Sequence, residues 1–251
     1  MNKKAIFITV RKGSTRLPNK SLLKINNRYT IEYVIENAKK SQLAKDIILC
    51  TTTRKEDDVL CDIAERNNIK YFRGSVEDKL DRWNSACKKF SIDFFVTADG
   101  DDLFCDPNLI DLAFSQYSNN DEIDFIKSDD VICGTFTYGI KAKALEKVCK
   151  IKKTNDTEMM WVYFTDTGLF NVSSLENVDP MFCRNDIRMT LDYNDDFKFF
   201  KNIIEYFGNK SYTLKEIIEY IDKNPYVKNI NFHRHEEWAK NQKNKTKLVL
   251  K

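Results

Sequence analysis

Short apolar runs alternate with amphipathic stretches over the first hundred residues. Residues 5–10 (Ala5-Ile6-Phe7-Ile8-Thr9-Val10), 47–51, 69–72 and 93–97 have the length and the β-branched and aromatic content of buried strands. Between them, apolar positions recur at helical spacing. Residues 30–40 align Ile31, Val34, Ile35 and Ala38; residues 56–67 align Val59, Leu60, Ile63 and Ala64; residues 78–90 align Leu80, Trp83, Ala86, Cys87 and Phe90. Strands alternating with helices predict an α/β fold with a mostly parallel sheet and helices on both faces. Such sheets bind ligands outside the carboxyl ends of their strands.

The second half is more mixed. Residues 123–128, 134–140, 168–172 and 187–191 read as strands, Leu145 to Ile151 as a short helix and Asp195 to Phe207 as an amphipathic helix. Thr213 with Glu216 forms a capping box for a helix that stops near Asn224-Pro225. No repeat or linker divides the chain. Residues 1–232 read as one domain, and 233–251 as a polar C-terminal tail whose residues 239–251 fray or pack on a partner.

Composition narrows the function. A 42% hydrophobic content with 12% aromatics supplies a packed core, and the formal charge of +3 gives no case for nucleic-acid binding. No apolar run reaches membrane-spanning length. Seven scattered cysteines without a C-x-x-C pair predict reduced, mostly buried thiols and a cytoplasmic protein. The two histidines, His233 and His235, leave no His-rich zinc site and no serine or cysteine triad in the first two-thirds of the chain.

The chemistry concentrates in two strand-end loops. Val10-Arg11-Lys12-Gly13-Ser14-Thr15-Arg16-Leu17-Pro18-Asn19-Lys20 sets four cations, a glycine and two hydroxyls after the first strand. Glycine lets the backbone approach a phosphate, and Arg and Lys supply the compensating charge. The spacing is neither that of a Walker A loop nor G-x-G-x-x-G. Thr97-Ala98-Asp99-Gly100-Asp101-Asp102 closes the fourth strand with an Asp-x-Asp pair, whose hard oxygens suit Mg²⁺, although Asp and Gly also make ordinary turns. Asp192 ends another strand-like run and is a candidate second ligand; Asp195 or Asp196 reads as a helix-capping acid. The segment from Phe72 to Arg82 is either a plain strand-to-helix connection or one wall of a nucleoside pocket.

Together the loop Arg11-x-Gly13-Ser14-x-Arg16-Leu17-Pro18-x-Lys20, the turn Arg73-Gly74-Ser75-x-x-Asp78-x-Leu80-Asp81-Arg82, the strand end Asp99-Gly100-Asp101 and Thr190-Leu191-Asp192-Tyr193 with Asp196-Phe197 resemble the cytidylyltransferase family. That family includes the CMP-Kdo and CMP-sialic acid synthetases, and the likeness is greatest to the spore-coat polysaccharide type. It runs in order over roughly residues 4 to 225. The resemblance implies a Rossmann-like, glycosyltransferase-A-like fold, Mg²⁺ as cofactor, CTP and a small-molecule acceptor as partners, and a homodimer. Arg11, Gly13, Ser14, Arg16 and Lys20 would hold the CTP phosphates; Arg73, Ser75, Asp78 and Arg82 would lie near cytosine and ribose. Asp101 and Asp192 would hold the metal, with Asp99 close by. Where many members of the family have Ala-Arg or Gln-Ala-Arg before the loop, this chain has Thr9-Val10-Arg11-Lys12, and the added charge of Lys12 has no role in the pattern. The acceptor half matches no pattern; Arg184, Arg188 and Glu158 are its candidates, the arginines because a guanidinium forks onto carboxylate or phosphate.

The expected reaction is in-line attack of an acceptor oxygen on the α-phosphorus of CTP with loss of pyrophosphate, with Arg11, Lys20 and Asp101 carrying the catalysis. Two alternatives stand beside it. A glycosyltransferase of the related fold would also use Asp-x-Asp and a metal, but its diphosphate sugar calls for less positive charge. A non-catalytic nucleotide-binding protein would have no reason to keep Asp99, Asp101 and Asp192 together.

Overall fold

The computed structural model describes residues 3–14, 16–128 and 130–251, so Thr15 of the basic loop lies outside the described residues. The strands among the described residues are β1 (Lys4–Thr9), β2 (Lys24–Ile25), β3 (Arg28–Tyr29), β4 (Asp46–Thr52), β5 (Lys70–Gly74), β6 (Phe94–Asp99), β7 (Phe125–Lys127), β8 (Tyr138–Lys141) and β9 (Val172–Ser174). Seven of them form one sheet in the order β5-β4-β1-β6-β8-β7-β9. β5, β4, β1 and β6 run parallel, β8 runs antiparallel to β6 and β7, and β9 returns parallel to β7.

The helices are α1 (Thr30–Lys39), α2 (Asp58–Arg66), α3 (Lys79–Phe90), α4 (Pro107–Asn119), α5 (Ala142–Ile151), α6 (Val162–Thr165), α7 (Asn194–Phe207), α8 (Leu214–Lys223), α9 (Pro225–Asn229) and α10 (His235–Lys245). They cover both faces of the sheet. Along β1, Ile6 and Ile8 point into a core built with α1, α2, α4, α7 and α8, while Ala5 and Phe7 point into one built with α3, α5 and α6. Period-2 alternation with apolar side chains on both faces is what a parallel strand buried on both sides requires.

The four parallel strands and helices α1 to α3 lie where the apolar pattern puts them. The capping box is formed, the Glu216 N–H donating to the Thr213 hydroxyl at 3.3 Å. In the second half the strand expected at 123–128 shortens to Phe125–Lys127, and those expected at 134–140 and 168–172 lie later in the chain, at Tyr138–Lys141 and Val172–Ser174. Residues 187–191 form no strand. Their backbone makes a single bridge, Arg188 to Cys133, and otherwise bonds loops: the Met189 N–H donates to the Cys133 carbonyl at 2.8 Å and the Leu191 N–H to the Asp101 carbonyl at 2.9 Å. The run is apolar because Ile187, Met189 and Leu191 plug the core beside the acidic turn, not because it sits in a ladder. Helix α4, which the pattern reading passes over, starts at Asp106-Pro107; the Asp106 carboxylate accepts the Asn108 and Leu109 N–H groups.

The C-terminal residues also have a definite place. Residues 235–245 are helical, and the chain then returns to the body: the Lys153 N–H donates to the Val249 carbonyl and the Lys251 N–H to the Ile151 carbonyl, each at 2.9 Å. No helix among the described residues is long and apolar enough to cross a membrane. All seven cysteines are free, four of them buried. Burial pushes the Cys50, Cys133 and Cys149 thiols up to about 12, which keeps them protonated at neutral pH.

Candidate active site

The two informative loops meet because their strands are neighbours. β1 pairs parallel with β6, and Thr9 sits opposite Asp99, so the basic loop and the acidic turn leave the same edge of the sheet side by side. Gly100 permits this closeness. Its N–H donates to the Thr9 carbonyl at 2.9 Å, and a Cβ there would lie 2.6 Å from the Val10 side chain. The basic loop does not run directly into α1. A 3-10 turn at Lys20–Leu22 and the β2–β3 hairpin intervene, the hairpin turning on Asn26 and Asn27, both at positive φ.

A cavity of about 370 Å³ opens between the loops. Arg11, Gly13, Ser14, Arg16 and Lys20 line it from one side, Asp99, Asp101, Asp102 and Asp192 from the other, and Arg82 and Glu158 from the flanks. Gly13 is exposed, and a Cβ there would meet nothing nearer than 3.8 Å, so packing does not demand a glycine; it leaves the space in front of the backbone open. Lys12 is absent from the lining. Its part is played by its backbone, whose N–H donates to the buried Asp57 carboxylate at 2.8 Å and pins the loop.

The three cations of the basic loop that face the cavity are paired with acids. Arg16 donates to Asp192 at 2.6 Å, and Arg11 to Glu158 at 2.9 Å. The Lys20 ammonium donates to Asp101 and, at 2.9 Å, to Asp192, linking the two carboxylates expected to hold a metal. Burial disfavours the Lys20 charge, but Asp101 and Asp192 outweigh it and raise its pKa above the ordinary value. Burial likewise pushes the Asp192 carboxyl upward, yet Lys20 and Arg16 hold it down at about 2. Asp99, Asp101 and Asp102 place carboxylate oxygens within 4.8 Å of one another. Burial and their mutual repulsion raise the pKa of Asp99 and carry that of Asp102 well above the carboxylate range.

Five expected site residues lie outside this cavity. Arg73 ties the ends of β4 and β5 together, donating to the Thr52 and Arg54 carbonyls and pairing with Asp58 at 2.6 Å. Ser75 closes the turn before α3: its hydroxyl accepts the Asp78 N–H, and its carbonyl accepts from the Arg82 guanidinium at 2.6 Å. Asp78 caps α3, accepting the Asp81 N–H at 3.0 Å, and forms a buried pair with Lys152. Arg184 is engaged by Asp186 and Asp222 and lines a second cavity adjoining this one. Arg188 is fully buried and lines neither this cavity nor its neighbour. It donates to Asp196 at 3.1 Å and stands 3.6 Å from Asp192, so it buttresses the site from behind. Asp196 also accepts the Asp192 and Tyr193 N–H groups at 2.8 Å, the capping role expected of it.

Residues 5–232 match the family described as cytidylyltransferase. The chain belongs to the cytidylyltransferase family. The chain is 35% identical over 227 residues to the uncharacterized protein MJ1063 of Methanocaldococcus jannaschii, covering 90% of this chain and 93% of that one. It is 24% identical over 235 residues to the spore coat polysaccharide biosynthesis protein SpsF of Bacillus subtilis, covering 90% and 96%. A cytidylyltransferase structure from Leptospira borgpetersenii superposes with a TM-score of 0.83 at 28% identity over 90% of this chain and 97% of that one. As a nucleotidyltransferase of this family, the chain also brings to its cavity residues that the motif reading missed. Lys79 enters from the first position of α3, 3.5 Å from Asp99. Trp238, Gln242 and Lys245 enter from α10, beyond the matched region. The signal for these three was their 4- and 3-residue spacing, hidden in a polar segment.

Proposed function

We propose that the cavity binds CTP with Mg²⁺ and transfers CMP to a small-molecule acceptor, an acidic sugar or phosphorylated compound, with release of pyrophosphate, in surface polysaccharide biosynthesis. The observation that carries this reading is a loop of cations facing a cluster of buried and half-buried carboxylates across one cavity at adjacent strand ends. A triphosphate needs the cations, and a metal needs the carboxylates.

The donor set fits Mg²⁺: hard carboxylate oxygens, crowded closely enough to raise the pKa of Asp99 and Asp102, a crowding that a divalent cation relieves. Asp101 would hold it with Asp99 or Asp102 beside it. A metal shared by Asp101 and Asp192 would take the place of the Lys20 ammonium. When bound, the ion neutralises charge on the phosphates and lowers the pKa of an acceptor hydroxyl. Arg11, Arg16 and Lys20 exchange their carboxylate partners for phosphate oxygens and stabilise the charge gathering on the leaving pyrophosphate. The protein's remaining work is to hold the acceptor oxygen in line with the α-phosphorus, because phosphoryl-type transfer depends mainly on positioning and charge.

Pyrophosphate release tests the reading, with CTP, UTP, GTP and ATP each offered with Mg²⁺ and a panel of acidic sugars and sugar phosphates. CTP alone should support it, and Asp101→Ala should abolish it while the far-UV spectrum stays native. Asp101→Ala turning over near the wild-type rate would remove Asp101 from the metal site. Turnover of a nucleotide sugar without pyrophosphate would replace the reading with glycosyl transfer.

A further inference from the structure

Helix α10 is unusual in what it turns inward. His235, Trp238, Gln242 and Lys245 fall on one face at spacings of three, four and three, the geometry of a packing stripe. Yet the stripe is polar and aromatic, and none of the helix's residues is fully buried. Trp238, Gln242 and Lys245 line the nucleotide cavity. His235 and Trp238 line a second cavity that shares Asp102, Thr137, Thr190 and Trp238 with the first, so Trp238 stands where the two join. Its ring is fixed from behind by the Arg188 guanidinium, 4.7 Å from the ring centre.

Three polar atoms of this stripe are buried with no hydrogen-bond partner among the described residues: the ring nitrogen Nδ1 of His235, beside the second cavity, and the indole N–H (Nε1) of Trp238 and the amide oxygen (Oε1) of Gln242, both at the wall of the nucleotide cavity. Buried donors and acceptors left unpaired are costly and uncommon, and at a cavity wall they point to a partner that arrives with the ligand. The phosphate cradle is built by the loop between β1 and α1, leaving α10 and the adjoining cavity for the acceptor. Building on CMP transfer as the reaction, we propose that α10 is the acceptor-recognition element: the Trp238 N–H and the Gln242 carbonyl bind acceptor hydroxyls, and Lys245 faces its anionic group. Because α10 follows the region matched by the family, it sets acceptor choice independently of the shared CTP machinery.

Binding measured on the full chain tests this. The protein is saturated with α,β-methylene-CTP and Mg²⁺, then titrated with N-acetylneuraminate, 3-deoxy-manno-octulosonate, glucuronate and glucose 1-phosphate, which separate a carboxylate from a phosphate as the anionic group. Trp238→Phe keeps an aromatic ring facing Arg188 and removes the N–H together with the second ring of the indole; Gln242→Met keeps the length and removes the carbonyl. At least one probe should bind the wild type and bind each variant roughly 5- to 10-fold more weakly, the loss of one hydrogen bond. Affinity for the CTP analogue should stay within about twofold. The inference is overturned if the probes bind the variants as well as the wild type, if the analogue loses as much affinity as the probes, or if no probe binds at about 10 mM. Failure of the wild type to bind the CTP analogue at all would instead overturn CMP transfer itself.

Discussion

Lys20 joins Asp101 to Asp192, and both acids sit deep enough that losing the ammonium leaves them facing each other. Lys20→Met should therefore cost both stability and turnover. Removing one member of a largely buried ion-pair group costs about 2–4 kcal/mol, a fall in midpoint of roughly 4–14 °C for a chain of this size. Mg²⁺ should recover more of that loss in the variant than it adds to the wild type, because the vacated place lies between two carboxylates. Equal Mg²⁺ shifts in both proteins would show that the metal does not replace the ammonium. Arg188 tests a different division of labour. It is fully buried against Asp196, and its backbone carbonyl accepts from Asn231. Arg188→Leu should cost about 3–5 kcal/mol in a denaturant melt by stranding the Asp196 charge. A tenfold rise in acceptor KM with an unchanged melt would show that Arg188 binds the acceptor directly instead of bracing Asp196 and the Trp238 ring.

Among the elements, α10 carries its own pH dependence. His235 lies between the Phe232 ring, at 5.5 Å, and the Trp238 ring, at 5.7 Å. Burial, and then the charge of Arg188, lowers its pKa below the ordinary value, with Glu236 opposing. The unfolded chain then binds the proton more readily than the folded one. The docked helix keeps its full stability above about pH 6.5 and loses it as the pH falls through that value. Amide exchange in α10 should accelerate between about pH 7.5 and 5.5 beyond the intrinsic pH effect, and His235→Gln should remove the excess. An unchanged profile in that variant would show that the helix is held independently of His235. Helices α1, α2 and α3 could be read from the chain because their inward stripes are apolar, and so could β1, β4, β5 and β6, which are apolar on both faces. α10 shows the same spacing in His, Trp, Gln and Lys, so a hydrophobic pattern cannot find it. Residues 187–191 fail in the opposite direction: they are apolar enough for a strand, but the neighbouring backbone offers only one bridge.

At the scale of the whole molecule, the part of the site that could be read from sequence is the part built on adjacent strand ends, where Arg11 to Lys20 and Asp99 to Asp102 each follow a recognisable apolar run. What could not be read is which distant segments pair: Glu158, named from sequence only as an acceptor candidate, meets Arg11 across 147 residues, and Lys152 reaches Asp78 across 74. The C-terminus closes this long-range half. Residues 249–251 bond to 151–153, the Tyr163 hydroxyl meets Val249, and Lys152, at the centre of that contact, pairs with the cap of α3, the helix that delivers Lys79 and Arg82 to the cavity. Helix α10 is thus held at both ends, by Arg234 on Asp195 at 3.0 Å before it and by the 249–251 contact after it. Deleting residues 246–251 removes the second anchor at a cost of about 1–3 kcal/mol, given roughly 1 kcal/mol for each backbone hydrogen bond. The midpoint should fall by about 2–10 °C, and exchange protection should be lost from Lys245 back toward Gln242 while His235 and Trp238 keep theirs. Affinity for CTP, gripped by the opposite loop, should change by less than about twofold. Uniform loss of protection along the whole helix would show that the 249–251 contact, and not Arg234, carries its docking.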